Sequence, residues 1–252
     1  MKHTGEPVKL DAYRSLVGKV MYYTTKLAPE LSNAARELAS HLSNPGEEHW
    51  HELGRLVGYL RQKKNLNLIY RKPRELRSIS QCDSNYAKDP NDRKSISRRI
   101  NTVGGTLSNW TSKKQGAVTL SSTEAEYYAL SECAQEAIFT QNLLMELTKI
   151  KQTAIIYEDN LGAIFLTKNH QVSQRTKHID IRQHFLRDLV EDKLLEVRFV
   201  RSENNSSDIT TKNTPQDLHE KHTTKLKQGK LDCWKEDVKT DRALDKSRFD
   251  LE

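Results

Sequence analysis

Four acidic residues stand in short, distinctive words: Asp83 in QCDSNYA, Glu126 in SSTEAEYYAL, Asp159 in IIYEDN and Asp208 in NNSSDITTK. Each falls where a strand or helix would aim it toward a common point. Clustered carboxylates suit hard divalent cations, and a pair of Mg²⁺ ions is what in-line cleavage of a phosphodiester calls for. Every one of the four also has an ordinary explanation. A helix from Thr123 puts Ala125, Ala129, Leu130, Cys133 and Ala137 on one small apolar face, with Glu126 in its middle. A carboxylate on a face that packs against a sheet is costly unless something neutralises it. A metal would do so; partial solvation in the first helical turn, favoured by the dipole, is the competing account. Glu124 reads as an ordinary first-turn acid. Asp159 follows the apolar run Ile155-Ile156-Tyr157, at the carboxyl end of a strand, where α/β sheets bind ligands. Capping the helix near Leu161 competes with that role. Asp208 reads equally as a first-turn acid, and Asp83-Ser84-Asn85 equally as a turn. Only their joint occurrence points to one site.

The elements that would position these residues change character along the chain. DAYRSLVGKVMYYTT, LSNAARELASHL and EEHWHELGRLVGYLRQ have helical apolar spacing, with Asn44-Pro45-Gly46 as a stop between the last two. LNLIY then reads as a short strand and RKPREL as a connector. RSISQCDSNYA, SISRRINTV and TLSNWTSKK read as strands, the last two joined at Gly104-Gly105, a hairpin signal. A long helix covers 123–148, TAIIYED is a buried strand, LGAIFLTKN a helix, 176–191 another helix, LLEVRFV a strand, and SSDITTK opens a short helix. Three strands in a meander followed by helix–strand–helix–strand–helix predict an α/β fold, a mixed sheet flanked by helices and preceded by a small helical region. The expected divisions are 1–75 (helical), 76–214 (the sheet domain) and 215–252, a tail of alternating charges expected to be disordered or loosely helical.

Composition narrows the class. The 252 residues carry a net charge of +7, which favours a polyanionic partner such as nucleic acid. No apolar run is long enough for a membrane span, and MKHTGEPVKL lacks the apolar region of a secretory signal, so no membrane and an intracellular setting are expected. Cys82, Cys133 and Cys233 are widely spaced and form no CxxC pair, so neither a disulfide framework nor a zinc site is indicated. His49 and His51 do not make HExxH, and His178 and His184 read as polar-face or capping residues.

The words DPNDRKSIS, NWTSKKQGAVTLSSTEAEYYAL, EDNLGAI, RTKHIDIRQHF and SDITTK, in this order and spacing, resemble the ribonuclease H domain of copia-type LTR retrotransposon Pol polyproteins. YRSLVGKVMYYT, PELSNAARELASHLSNPGEEHW and GYLRQKKNLNLIY are similar to the region joining the polymerase to that domain. The resemblance covers roughly residues 10–214. It implies a ribonuclease H-like five-stranded mixed sheet, with the family's acids falling on Asp83, Glu126, Asp159 and Asp208. Ala125-Glu126-Tyr127 matches the family's Ala-Glu-Leu/Tyr word, in agreement with the helical wheel. The implied activity is cleavage of the RNA strand of RNA/DNA hybrids with two Mg²⁺ ions, Mn²⁺ being an alternative. One ion would activate water and the other stabilise the leaving oxygen. Ser122, Thr123 and Asn160 are candidate sugar contacts, and Arg93, Lys94, Lys113 and Lys114 candidate phosphate contacts, with solvated surface charge as the alternative for the basic four. The polymerase domain of the same element is an expected partner, and the element's cytoplasmic particle or the nucleus the expected location.

Two departures bear on activity. The family usually has Gly after RKS[IT]S, where this chain has Arg98-Arg99; a backbone needing positive φ would be strained by Arg98. No Tyr-x-Asp-Asp pair is present, so polymerisation is not expected of this chain. A catalytically idle remnant that binds nucleic acid or acts as a scaffold is the rival expectation.

Overall fold

In the computed structural model, residues 9–73, 75–89, 92–168, 180–210 and 216–228 are described. Five strands form one sheet: β1 (Ser78–Asn85), β2 (Ile96–Val103), β3 (Thr106–Lys114), β4 (Ala154–Glu158) and β5 (Leu195–Phe199), in the order β3-β2-β1-β4-β5. The first three strands pair antiparallel, whereas β4 runs parallel to both β1 and β5. This is the expected mixed sheet flanked by helices. The β2–β3 turn is tight because Gly104 and Gly105 both hold positive φ, 58° and 80°. A side chain on Gly104 would also collide with Pro73.

The sheet is covered on both faces. On one lies α4 (Ser122–Thr148), whose Ala125, Ala129, Leu130, Cys133 and Ala137 are all buried as the wheel requires. Together with α5 (Leu161–Lys168) and α6 (Asp180–Glu191) it closes a core containing Cys82, Tyr127, Ile156 and Leu186. The other face carries Ile79, Ile100, Leu107, Ile155, Tyr157 and Ile209. The N-terminal helices α1 (Leu10–Lys26), α2 (Ser32–Ala39) and α3 (Glu47–Gln62) bury their apolar stripes against one another, around Tyr13, Val17, Leu38 and Leu53. They dock on the sheet domain: the Trp110 indole donates to the Thr24 carbonyl at 3.0 Å.

Two expectations are corrected. LNLIY is not a strand: Ile69 N–H bonds the Lys227 carbonyl at 2.8 Å and Leu68 packs on the sheet, so it is an extended strap held by one helix end. Part of the charged tail is ordered as α7 (Gln216–Lys227). Its charges hide a buried face, His222, Thr223, Leu226 and Lys227, and Lys227 forms a buried ion pair with Glu30 at 2.8 Å. The rest of the tail, and His178, lie outside the described residues.

Candidate metal centre

The carboxyl end of β1, the residue after β4 and the first turn of α4 meet at one point. There Asp83, Glu126 and Asp159 bring ligand oxygens within 4.8 Å of one another. Each position has a local cause. Asp83 is held in regular β1, not in a turn. Glu126 is placed by a firm helix start. The Ser121 hydroxyl accepts from Glu124 N–H at 3.1 Å, and the Glu124 carboxylate accepts from Leu120 N–H at 2.7 Å. Glu124 is thus a first-turn acid occupied with the cap, and Glu126 is the one left facing the sheet. Asp159 is released from capping because Asn160 does it, its side-chain oxygen accepting from Ala163 N–H at 3.0 Å. Asp159 instead accepts from the Ser202 hydroxyl at 2.6 Å.

The site is electrostatically crowded. Burial, then the Asp83 and Asp159 charges, push the Glu126 carboxyl up to about 9, with Ser84 opposing. Behind it Glu158 is fully buried and held well above the ordinary carboxyl range, by burial first and the Glu126 charge next. Glu158 accepts from the Cys82 thiol at 3.0 Å, and burial pushes that thiol up as well. Without an added cation, burial and the two neighbouring acids thus favour the protonated form of Glu126. Its Oε2 is buried without a hydrogen-bond partner. Three acids whose ligand oxygens lie this close, one of them with a buried oxygen that lacks a hydrogen-bond partner, fit a divalent cation.

Asp208 is not among these three. It is buried in a 3₁₀ turn, Ser206–Thr210, packed on β1 and β2, and its charge bears on Arg98. The turn is pinned by Gln81, whose side-chain oxygen accepts from Ser206 N–H at 2.6 Å, and by Asn205, which donates to the Cys82 carbonyl at 2.8 Å.

Arg98 is the residue that sequence reasoning did not place in the site. It sits opposite Asp83 in the β1–β2 register, and its Nη1 lies 2.7 Å from Asp83 Oδ2, with the two side chains 0% and 3% exposed. Burial lowers the guanidinium to about 10, opposed by Asp83, so it stays charged at neutral pH. The positive φ that would have strained Arg98 is not required there. Arg98 is in regular strand and not among the positive-φ residues, which are Ala87, Arg93, Lys149 and Lys193.

The expected nucleic-acid contacts divide. Ser122 and Thr123 lie at the α4 start beside the acids, Thr123 close against Gly162. Asn160 spends its side-chain oxygen on the α5 cap. Lys113 and Arg93 are exposed. Lys114 is tied to Asp89 at 2.5 Å and Asp92 at 3.2 Å, and Lys94 lies 4.0 Å from Asp92. Both lysines thus brace the β1–β2 connection, a role the charge pattern alone did not reveal.

No protein-family model matches the chain. The Pol polyprotein of the tobacco (Nicotiana tabacum) transposon TNT 1-94 is 35% identical over 208 residues, covering 82% of this chain and 16% of the polyprotein. The secreted RxLR effector protein 161 of Plasmopara viticola is 36% identical over 127 residues, 50% of this chain and 89% of its own length. Among solved structures, the ribonuclease H1 LC11 isolated from compost aligns at 16% identity with a TM-score of 0.40, covering 53% of this chain and 91% of that one. The chain thus spans only a small part of the polyproteins it matches.

Proposed function

Because the chain belongs to the Pol polyproteins of copia-type retrotransposons and carries their ribonuclease H domain, we propose that it cleaves the RNA strand of RNA/DNA hybrids with divalent metal held by Asp83, Glu126 and Asp159. The observation that supports this most is the convergence of those three acids, one of which, Glu126, has a buried oxygen without a hydrogen-bond partner. Bound Mg²⁺ would supply Lewis acidity and a nucleophilic water, with Mn²⁺ as an alternative. The protein's own part is positional. The sheet holds Asp83 and Asp159 at adjacent strand ends, Ser202 orients Asp159, and Glu126 gives up its proton when a cation takes the site. Asp208 is the proposed outer acid, acting from the turn behind Arg98.

In this reading Ser122 and Thr123 meet the sugar edge of the hybrid and Arg93 and Lys113 its phosphates. The polymerase domain of the same element is the proposed protein partner, and the element's cytoplasmic particle or the nucleus the proposed location. Among the described residues no helix is long and apolar enough to cross a membrane.

A second reading, an idle remnant that binds nucleic acid without cutting it, is favoured by one observation: the Arg98 guanidinium on Asp83. The deciding experiment is Mg²⁺-dependent cleavage of a labelled RNA/DNA hybrid by wild type and Asp83→Asn, with single-stranded and duplex RNA as controls. Hybrid-specific cutting lost in the variant is expected. Binding without cutting by folded wild type would establish the second reading instead.

A further inference from the structure

We propose that Arg98 is a built-in counter-cation of the carboxylate cluster, stabilising the metal-free site and lowering its affinity for divalent ions. This rests on the metal-centre reading above and adds a control on it. Asp83 and Arg98 face each other across β1 and β2 and, by strand alternation, share the sheet face that carries Ile79 and Ile100. The Asp208 turn packs on that same part of the sheet, and Asp208 adds its negative charge to the field at Arg98. The guanidinium therefore lies among more acids than bases, Arg36 being the other cation that acts on it, and it is bonded to an oxygen of Asp83, one of the three clustered metal-ligand candidates.

Two consequences follow from charge alone. One Asp83 oxygen is committed to a fully buried donor, so a cation must take the other oxygen, share this one or displace the donor. The positive charge beside the cluster also offsets about one of the carboxylates that would attract an ion. At the separations inside such a site, removing one unit charge alters ion affinity by roughly tenfold or more. Strand geometry makes the arrangement persistent, because Arg98 is anchored in the middle of β2 and cannot swing away to solvent as an exposed arginine would.

The test is Mn²⁺ binding to the intact chain, read as loss of the free-ion electron paramagnetic resonance signal, for wild type, Arg98→Met and Arg98→Gln. Folding is checked by circular dichroism. Arg98→Met keeps much of the volume and removes the charge. The expected results are about tenfold or greater tightening of Mn²⁺ binding in both variants, and a metal-free melting temperature that falls and is regained on adding Mn²⁺. Equal, measurable affinity in wild type and folded variants overturns the inference and leaves the metal centre standing. No binding by any of them overturns the metal centre and the inference together. If Arg98→Met does not fold in the absence of metal, recovery of the fold by Mn²⁺ or by adding Asp83→Asn supports the inference, and recovery by neither overturns it.

Discussion

Two ion pairs are buried in this molecule to the same degree and do different things. Arg98–Asp83 spans 2.7 Å inside the sheet, and Lys227–Glu30 spans 2.8 Å between α7 and the 3₁₀ turn Pro29–Leu31 that precedes α2, with every side chain 3% exposed or less. Burial and geometry do not distinguish them; their surroundings do. Around Arg98 lie Asp83, Asp208 and, through Asp83, the Glu126–Asp159 cluster, against one further cation, Arg36, so the acids outnumber the bases. Lys227 pairs one to one: its ammonium meets the Glu30 carboxylate and the Leu66 carbonyl at 3.3 Å, and although Glu30 Oε2 is likewise buried without a hydrogen-bond partner, Glu30 joins no cluster of acids among the described residues. A buried pair with charge left over can answer to an added ion; a balanced one only ties parts together. That difference separates a site from a clasp.

The comparison breaks if the clasp responds to metal. Glu30→Gln leaves Lys227 buried without its counter-charge and should cost about 3–5 kcal/mol in urea unfolding. Mg²⁺ should return none of it, whereas replacing both partners with apolar residues should return most. A clasp variant rescued by Mg²⁺ would erase the distinction.

The next effect is on pH, and it has opposite signs in the two regions. In place, the Glu126 carboxyl titrates near 9 rather than 4.5. Between these values the native chain keeps a proton that the unfolded chain has lost, so metal-free stability falls as pH rises and levels off above about 9. Glu126→Gln should flatten that slope in melts run across pH. In α7, burial lowers the His222 imidazole to about 4 from 6.5. There the unfolded chain takes the proton first, so stability falls as pH drops from 6.5 through 4, and His222→Asn should remove that acid limb. A single common pH slope for both variants would count against the assignment.

The smallest effect sharpens the site itself. Ser121→Ala removes the α4 cap and should cost about 1 kcal/mol. Because the cap sets where Glu126 points, Mn²⁺ affinity should fall in the same variant; unchanged affinity would show that the helix start does not position the acid.

What could be read from the chain beforehand follows from what is local. The α4 wheel, the Gly104-Gly105 hairpin and the buried Ile155–Tyr157 strand depend on periodicity and turn chemistry within a few residues, and all three stand. Glu126 was separable from Glu124 because a helix fixes which side chains share a face. Arg98 was not placeable, since the long connection 86–95 hides the β1–β2 register, and without register a charged strand residue has no known partner. How near Asp208 lies to the other acids was not legible, because a turn's direction is set by distant contacts such as Gln81 and Asn205. The α7 helix was hidden for the reverse reason: its dense charges suggested solvent, and only the presence of Glu30 about two hundred residues earlier makes Lys227 a core residue.

The Lys227 clasp also sets a temporal order. During synthesis Glu30 emerges long before the lysine that neutralises it, and the strap at Ile69 waits for the same helix end to supply the Lys227 carbonyl. The first helices of the chain are therefore completed by nearly the last described residues. A nascent chain stalled between β5 and α7 would hold all five strands of the sheet and an N-terminal bundle in which Glu30 still lacks its counter-charge.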